Sequence, residues 1–102
     1  MMVFRLSRRA VDDLEAIYLL GLASFGEEQA DRYHESLNAT FTLLSDFPEI
    51  ARERHEIEPP VRIHRHHAHV VIYLVDGADI LILRLRHGHG HGHEDWSTNP
   101  LG

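Results

Sequence analysis

Between Val11 and Leu44 the chain carries two helical stripes with almost nothing between them. In SRRAVDDLEAIYLLGLASFG the apolar residues Val11, Leu14, Tyr18, Leu22 and Phe25 recur every three or four positions. In EEQADRYHESLNATFTLLSDFPEI the residues Ala30, Tyr33, Leu37, Phe41 and Leu44 repeat the pattern. Ser7 suits the N-cap of the first helix, Gly26 its stop, and Pro48 the end of the second. A link this short folds the helices back on one another as an antiparallel hairpin. The apolar face of such a hairpin must be covered, and the rest of the chain is what can cover it. Asp12, Asp13 and Glu15 lie near the start of the first helix, where its dipole favours acids.

The covering layer is β-rich. VRIHRHHAHVVIYLV and DILILRLRH are joined by DGAD, whose Asp76-Gly77 signals a hairpin turn. The prolines just before the first run and the histidines in its opening half place a short strand near Val61–His64 and a longer one near His69–Val75. MVFRLS alternates Val3 and Arg5 against Phe4 and Leu6 as a short first strand, and ARERHEIEPP, ending in two prolines, is a loop. The expected fold is therefore α+β in the order β-α-α-β-β-β, with the helical hairpin on one face of a small, mainly antiparallel sheet. On the last strand a strict period of two puts Leu81, Leu83, Leu85 and His87 on one face and Ile80, Ile82, Arg84 and Arg86 on the other. The first set is expected to cover the helices. That leaves Arg84 and Arg86, with the end of the hairpin, on an open surface.

Length and charge narrow the function. A chain of 102 residues makes one domain, read here as residues 1–96 with a short tail at 97–102. There is no signal-peptide pattern and no apolar run long enough to span a bilayer, so a cytoplasmic protein without a membrane role is expected. With no cysteine, thiolate metal sites and thiol nucleophiles drop out. The net charge of −6 argues against a protein that grips phosphate backbones, and no sequence-specific nucleic-acid binding is expected. All ten basic residues are arginine. Residues 1–58 hold six of them against twelve acids, whereas residues 59–102 hold four against four, together with eight of the ten histidines. The second half is the part suited to meeting an anionic surface.

The opening helix with Ala10, Asp13, Leu14 and Ile17, the junction FGEEQADRY, the turn FPEIARER, the run HVVIYLVDGADILILRLRHGH and the later EDW resemble, in that order, the ParE branch of the RelE/ParE toxin superfamily of bacterial toxin–antitoxin modules. The resemblance runs nearly end to end. It implies a toxin neutralised by a cognate, ParD-like antitoxin. The expectation is that an amphipathic antitoxin segment covers apolar surface beside the hairpin, at Leu14, Tyr18, Leu22, Tyr33 and Leu37, and along the sheet edge. ParE-type members poison DNA gyrase, whereas RelE-type members cleave messenger RNA on the ribosome.

Metal-independent RNA cleavage needs a base, an acid and a cation for the phosphorane. RelE-like ribonucleases place that cation as the Arg of a Y-R-L-V-Y or H-R-L-V-Y strand. The matching strand here is HVVIY, so Val70 stands in the position of the Arg, and the chain contains no lysine. Tyr18 and Tyr33 fall on the helical stripes and Tyr73 in a middle strand. His87, beside Arg86 and with Glu56 or Glu58 in the preceding loop, imitates only part of a Glu–His variant. The expectation is a non-enzymatic toxin that needs no cofactor and inhibits DNA gyrase. The runner-up is a ribosome-dependent ribonuclease, and a His-rich metal module comes third.

The residues expected to contact the target are Arg62, Arg65, Arg84, Arg86, His87, His93 and Trp96. Singly, each arginine is more simply a solvated strand residue, while Trp96 suits an anchor of the C-terminus against the domain. HRHHAH at 64–69 reads as a solvated edge, since adjacent strand histidines point to opposite faces. RHGHGHGH, continued as a strand, would put His87, His89, His91 and His93 on one face about 7 Å apart. Its glycines make an ordered strand costly, so the stretch reads as a lengthened exit from the strand, with only adventitious nickel or zinc binding expected.

Overall fold

A computed structural model describes residues 3–88 of the chain. The elements are β1 (Phe4–Leu6), α1 (Arg8–Phe25), α2 (Glu27–Asp46), a 3-10 turn (Pro48–Ile50), β2 (Glu53–Arg54), β3 (Val61–His66), β4 (His69–Asp76) and β5 (Asp79–His87). The strands form one sheet in the order β1-β5-β4-β3-β2, parallel between β1 and β5 and antiparallel elsewhere. The helical hairpin lies on one face, which is the expected α+β architecture. The sequence-based order lacked only β2, two residues of the Ala51–Pro60 loop that pair with Val61 and Arg62.

Local signals produce most of this. Ser7 caps α1, its hydroxyl accepting from the Ala10 amide at 3.0 Å. The same hydroxyl donates to the Leu83 carbonyl at 2.7 Å, and the Ser7 amide donates to the Ile82 carbonyl at 2.9 Å. One residue thus closes the parallel β1–β5 pairing and opens the helix. Gly26 (φ 89°) separates the helices in a conformation open to glycine. Gly77 (φ 64°) turns the β4–β5 hairpin from the first position of a two-residue Gly77-Ala78 loop between the paired Asp76 and Asp79, one residue on from the expected Asp-Gly turn and where a type II′ turn takes glycine.

The core between helices and sheet contains Ala10, Leu37, Phe41, Leu44, Val71, Tyr73, Ile80, Ile82 and Leu85, with Phe4, Leu6, Leu14 and Ile17 packed against it. Two expectations need correction here. First, the buried seam of α1 runs Ala10, Leu14, Ile17, Gly21 rather than Val11 to Phe25; Val11 and Phe25 are exposed. The helices approach through small residues, and a Cβ placed on Gly21 would stand 3.4 Å from the Cβ of Ala30. A count of large apolar residues underweights such a contact.

Second, β5 does not keep a period of two. Tyr73 pairs with Ile82 and Ile72 with Arg84, so Leu83 is an extra residue that forms a β-bulge. Before the bulge Ile80 and Ile82 face the helices; after it Leu85 does. Leu83 instead joins Ile57, Val61, Ile63, Val70 and Ile72 in a second cluster on the opposite face. The bulge sits where β1 ends and α1 begins, which is why a regular strand could not be sustained.

The HRHHAH stretch is a tight turn and not a solvated edge. His66 pairs with His69 across His67-Ala68, and His67 takes a left-handed conformation (φ 52°), which histidine tolerates better than most side chains. β3 therefore runs two residues past its expected end.

Candidate functional site

Two surfaces carry the sequence-predicted site residues. The first is a groove of about 230 Å³ between α1 and α2, closed at one end by the β3–β4 turn. Tyr18, Leu20 and Phe25 line it from α1, Tyr33 and Leu37 from α2, and His69 from β4. Of the residues expected to bind an antitoxin, Tyr18, Tyr33 and Leu37 line this groove. Leu14 packs on the core, and Leu22 is half-buried outside the lining. Leu20 and Phe25, absent from that expectation, are exposed at 68% and 66% and form its lip. The signal that would have found them is the displaced seam of α1, which turns these residues outward.

The lining is largely apolar, but two of its residues, Tyr33 and His69, belong to a hydrogen-bonded cluster with Ser36, Thr40 and His66 behind it. Tyr33 donates to the His66 carbonyl at 3.3 Å, and its hydroxyl lies 2.7 Å from His69 Nδ1. Ser36 gives its proton to the Tyr33 carbonyl at 2.8 Å, so its oxygen accepts from His66 Nε2–H at 3.0 Å. His66 Nδ1 then accepts from Thr40 at 2.9 Å. Both ring nitrogens are thereby satisfied with the imidazole neutral. Burial, with His67 and His64 nearby, holds the His66 pKa below its ordinary value. Burial, with His87 and His66 nearby, does the same for His69, and burial pushes the Tyr33 hydroxyl up. At the mouth, Tyr18 donates to Asp31 across the helices, and that bond is the main cause raising its pKa.

The second surface is the sheet face away from the helices. Register puts Arg65, Val70 and Arg86 side by side on β3, β4 and β5, and facing residues of paired strands share a side. Val70 is fully buried there, while Arg65 and Arg86 are exposed. Arg65 also reaches the Gly88 carbonyl at 3.4 Å.

Of the remaining expected contacts, Arg62 and His87 lie on the other side, whereas Arg84 shares this face by register, opposite Ile72, but its side chain is turned to α1. Arg62 pairs with Tyr73 on the helix side and donates to the Ala51 carbonyl at 2.6 Å. His87 pairs with His69, also on the helix side, and their rings meet edge to face at 5.6 Å. Arg84 is held by Asp13 of α1: Nε lies 2.8 Å and Nη2 3.2 Å from its carboxylate, with the two side chains only 15% and 18% exposed. The expectation that Arg84 and Arg86 lie together on an open surface is therefore corrected.

Asp13 also accepts the Leu85 amide at 2.9 Å. Beyond Ile82, β5 has lost its partner β1, and this carboxylate satisfies a backbone donor that β1 no longer reaches. Its part is thus to finish a strand edge, and the first turn of α1 contains no acid. His93 and Trp96, with His89 and His91, lie outside the described residues. Among the described residues no three His, Asp or Glu side chains gather as a metal site. No described helix is long and apolar enough to cross a membrane.

Comparison with known proteins places these surfaces in a context. Residues 4–91 match the family model described as the ParE toxin of the type II toxin–antitoxin system parDE. The chain is 33% identical over 81 residues to Toxin ParE1 of Caulobacter vibrioides, a match covering 79% of this chain and 83% of that protein. Among solved structures, a chain of the chromosomal ParDE toxin–antitoxin system from P. aeruginosa superposes with a TM-score of 0.74 at 26% identity. That match covers 85% of this chain and 96% of the other.

Proposed function

The chain belongs to the ParE toxin family of type II toxin–antitoxin systems, and from that premise we propose that it arrests growth in the cytoplasm by inhibiting DNA gyrase without catalysing a reaction. The observation that carries this reading is Val70. It stands where RelE-like ribonucleases present an arginine, and it is fully buried between Arg65 and Arg86. A valine supplies neither cation nor proton there. The tyrosines have other partners: Tyr18 holds Asp31, Tyr33 lies against His69, and Tyr73, fully buried, donates to the Pro48 carbonyl at 2.8 Å.

Arg65 and Arg86 are the target contacts this reading prefers, two cations held on a rigid sheet face. Arg62 and His87 lie on the other side of the sheet and Arg84 is held by Asp13; His93 and Trp96, outside the described residues, remain candidates. A ParD-like antitoxin then neutralises the toxin by laying an apolar helical segment in the hairpin groove over Tyr18, Tyr33 and Leu37, with Leu14 and Leu22 beside them.

The test is a supercoiling and cleavage assay with purified gyrase, with and without the antitoxin. Inhibition relieved by antitoxin and lost in an Arg65→Ala, Arg86→Ala double variant is expected. Untouched gyrase with cleavage of ribosome-bound messages would replace this reading by the ribonuclease one.

A further inference from the structure

The hairpin groove has a hollow and a projection side by side on one apolar surface. Leu20 and Phe25 stand out at its lip as the most exposed large apolar side chains among the described residues, and Ile17, Gly21, Ala30 and Leu37 line the hollow beside them. The described lining includes no Asp, Glu or Arg, in a chain whose net charge is −6. Two copies of an acidic chain repel where their charged faces meet, so an uncharged apolar face is where they approach at least cost.

Spacing makes this surface complementary to itself. Ile17, Gly21 and Phe25 follow one another at four-residue steps, about 6 Å each along α1. A two-fold axis crossing the hairpin at Gly21 therefore carries Phe25 of one copy to the level of Ile17 in the other, and the reverse, so that each groove receives one phenylalanine ring. Leu20, one residue from the axis, meets its own counterpart. The same operation takes the acidic first turn of α2, Glu27 and Glu28, toward the closed end of the other groove, where His69 lines it and His67 is exposed. Carboxylates of one copy thus face imidazoles of the other, a pairing that charge and hydrogen bonding both favour.

We infer that the chain, when no antitoxin is present, pairs with a second copy of itself through the hairpin groove, each copy seating its Phe25 in the other. The pairing needs only the groove and its lip. That it masks the antitoxin site rests on the antitoxin reading given above. At its observed exposure Phe25 offers about 100–160 Å², and with Leu20 and the lining each copy covers on the order of 400 Å². The pair then buries about 800 Å², short of the roughly 1,200–2,000 Å² of stable complexes, so the association is weak, with a dissociation constant on the order of 10–100 μM.

Sedimentation equilibrium of the purified full chain from about 1 μM to about 500 μM spans that constant on both sides and is expected to show monomer at the low end and dimer at the high end. Leu20→Asp and Phe25→Asp change exposed lip residues. Each is expected to weaken association by about tenfold or more while far-UV circular dichroism and Tm stay near wild type. In a mixture of isotope-labelled and unlabelled chains, filtered nuclear Overhauser spectra should place the Phe25 ring of one copy on the Ile17 methyls of the other, a readout that needs no variant. A monomer at every concentration overturns the inference, and so does a dimer that both lip variants leave unchanged or whose intermolecular contacts avoid Phe25. Added antitoxin is expected to split the dimer; a dimer that binds antitoxin without splitting keeps the inference and refutes only the placement of the antitoxin in the groove.

Discussion

Replacing Asp13 by alanine tests the account of how β5 is finished. The carboxylate accepts three hydrogen bonds, two from the Arg84 guanidinium and one from the Leu85 amide. Removing it takes two hydrogen bonds from a mostly covered guanidinium and the acceptor from a backbone donor. Breaking a fully buried pair costs about 3–5 kcal/mol, and the residual exposure of both partners reduces this to about 2–3 kcal/mol. For a chain near 100 residues, at roughly 4–8 °C per kcal/mol, Tm falls by about 10–20 °C. Asp13→Asn keeps an oxygen for the Leu85 amide and is expected to lose about half as much free energy. Arg84→Met combined with Asp13→Ala removes the cation together with its carboxylate, so the double variant should be more stable than the sum of the singles by about 1–2 kcal/mol. Urea unfolding of wild type, the singles Asp13→Ala, Asp13→Asn and Arg84→Met, and the double variant gives these values, and amide exchange at Leu85 should accelerate in both chains that carry Asp13→Ala but not in Arg84→Met. A loss below about 0.5 kcal/mol, the range of ordinary surface changes, or strict additivity in the double variant would refute the reasoning.

Three further outcomes follow from the same structure. His66 faces Ser36, Thr40, Tyr33, His64 and His67, and His69 faces Tyr33, His66 and His87; both titrate below the ordinary imidazole value when folded. The unfolded chain therefore takes up protons first, so their contribution to stability is intact above about pH 6.5 and is lost as pH falls below it. Urea midpoints at pH 8 and 5.5 should show the drop, and His69→Gln should flatten it; an unchanged slope would discard the assignment. Tyr73→Phe deletes the bond to the Pro48 carbonyl from a fully buried ring and should cost about 1–1.5 kcal/mol by urea unfolding, with no effect counting against that bond. Gly26→Ala meets no atom within 4 Å, so its penalty comes from backbone conformation (φ 89°, ψ 170°) alone. About 1–3 kcal/mol is expected in thermal unfolding, and a neutral variant would contradict the helix-junction geometry.

The amino-acid sequence by itself determined the order of the elements and where most of them begin and end. Ser7, Gly26, Pro48 and Asp76-Gly77 act on the residues beside them, and such effects survive whatever the rest of the chain does. The α2 stripe Ala30, Leu37, Phe41, Leu44 was legible for the same reason, since one helix face is set by spacing. What only the tertiary structure decided lies where two elements meet. The seam of α1 rotated to Gly21 because the helices close on Ala30, and a packing of small residues leaves no strong apolar pattern. The parity of β5 changed at Leu83 because β1 hands over to α1 there and its pairing ends. Arg84 went to Asp13, seventy-one positions away in sequence, so a cation that looked available for a partner became a brace for the strand edge. Arg65 and Arg86 reached one face across Val70 by strand register, which no local pattern encodes. Spacing along a chain specifies which side of an element is apolar; which neighbour meets that side, and which polar groups the meeting consumes, is settled only when non-local surfaces must pack without leaving buried donors unsatisfied.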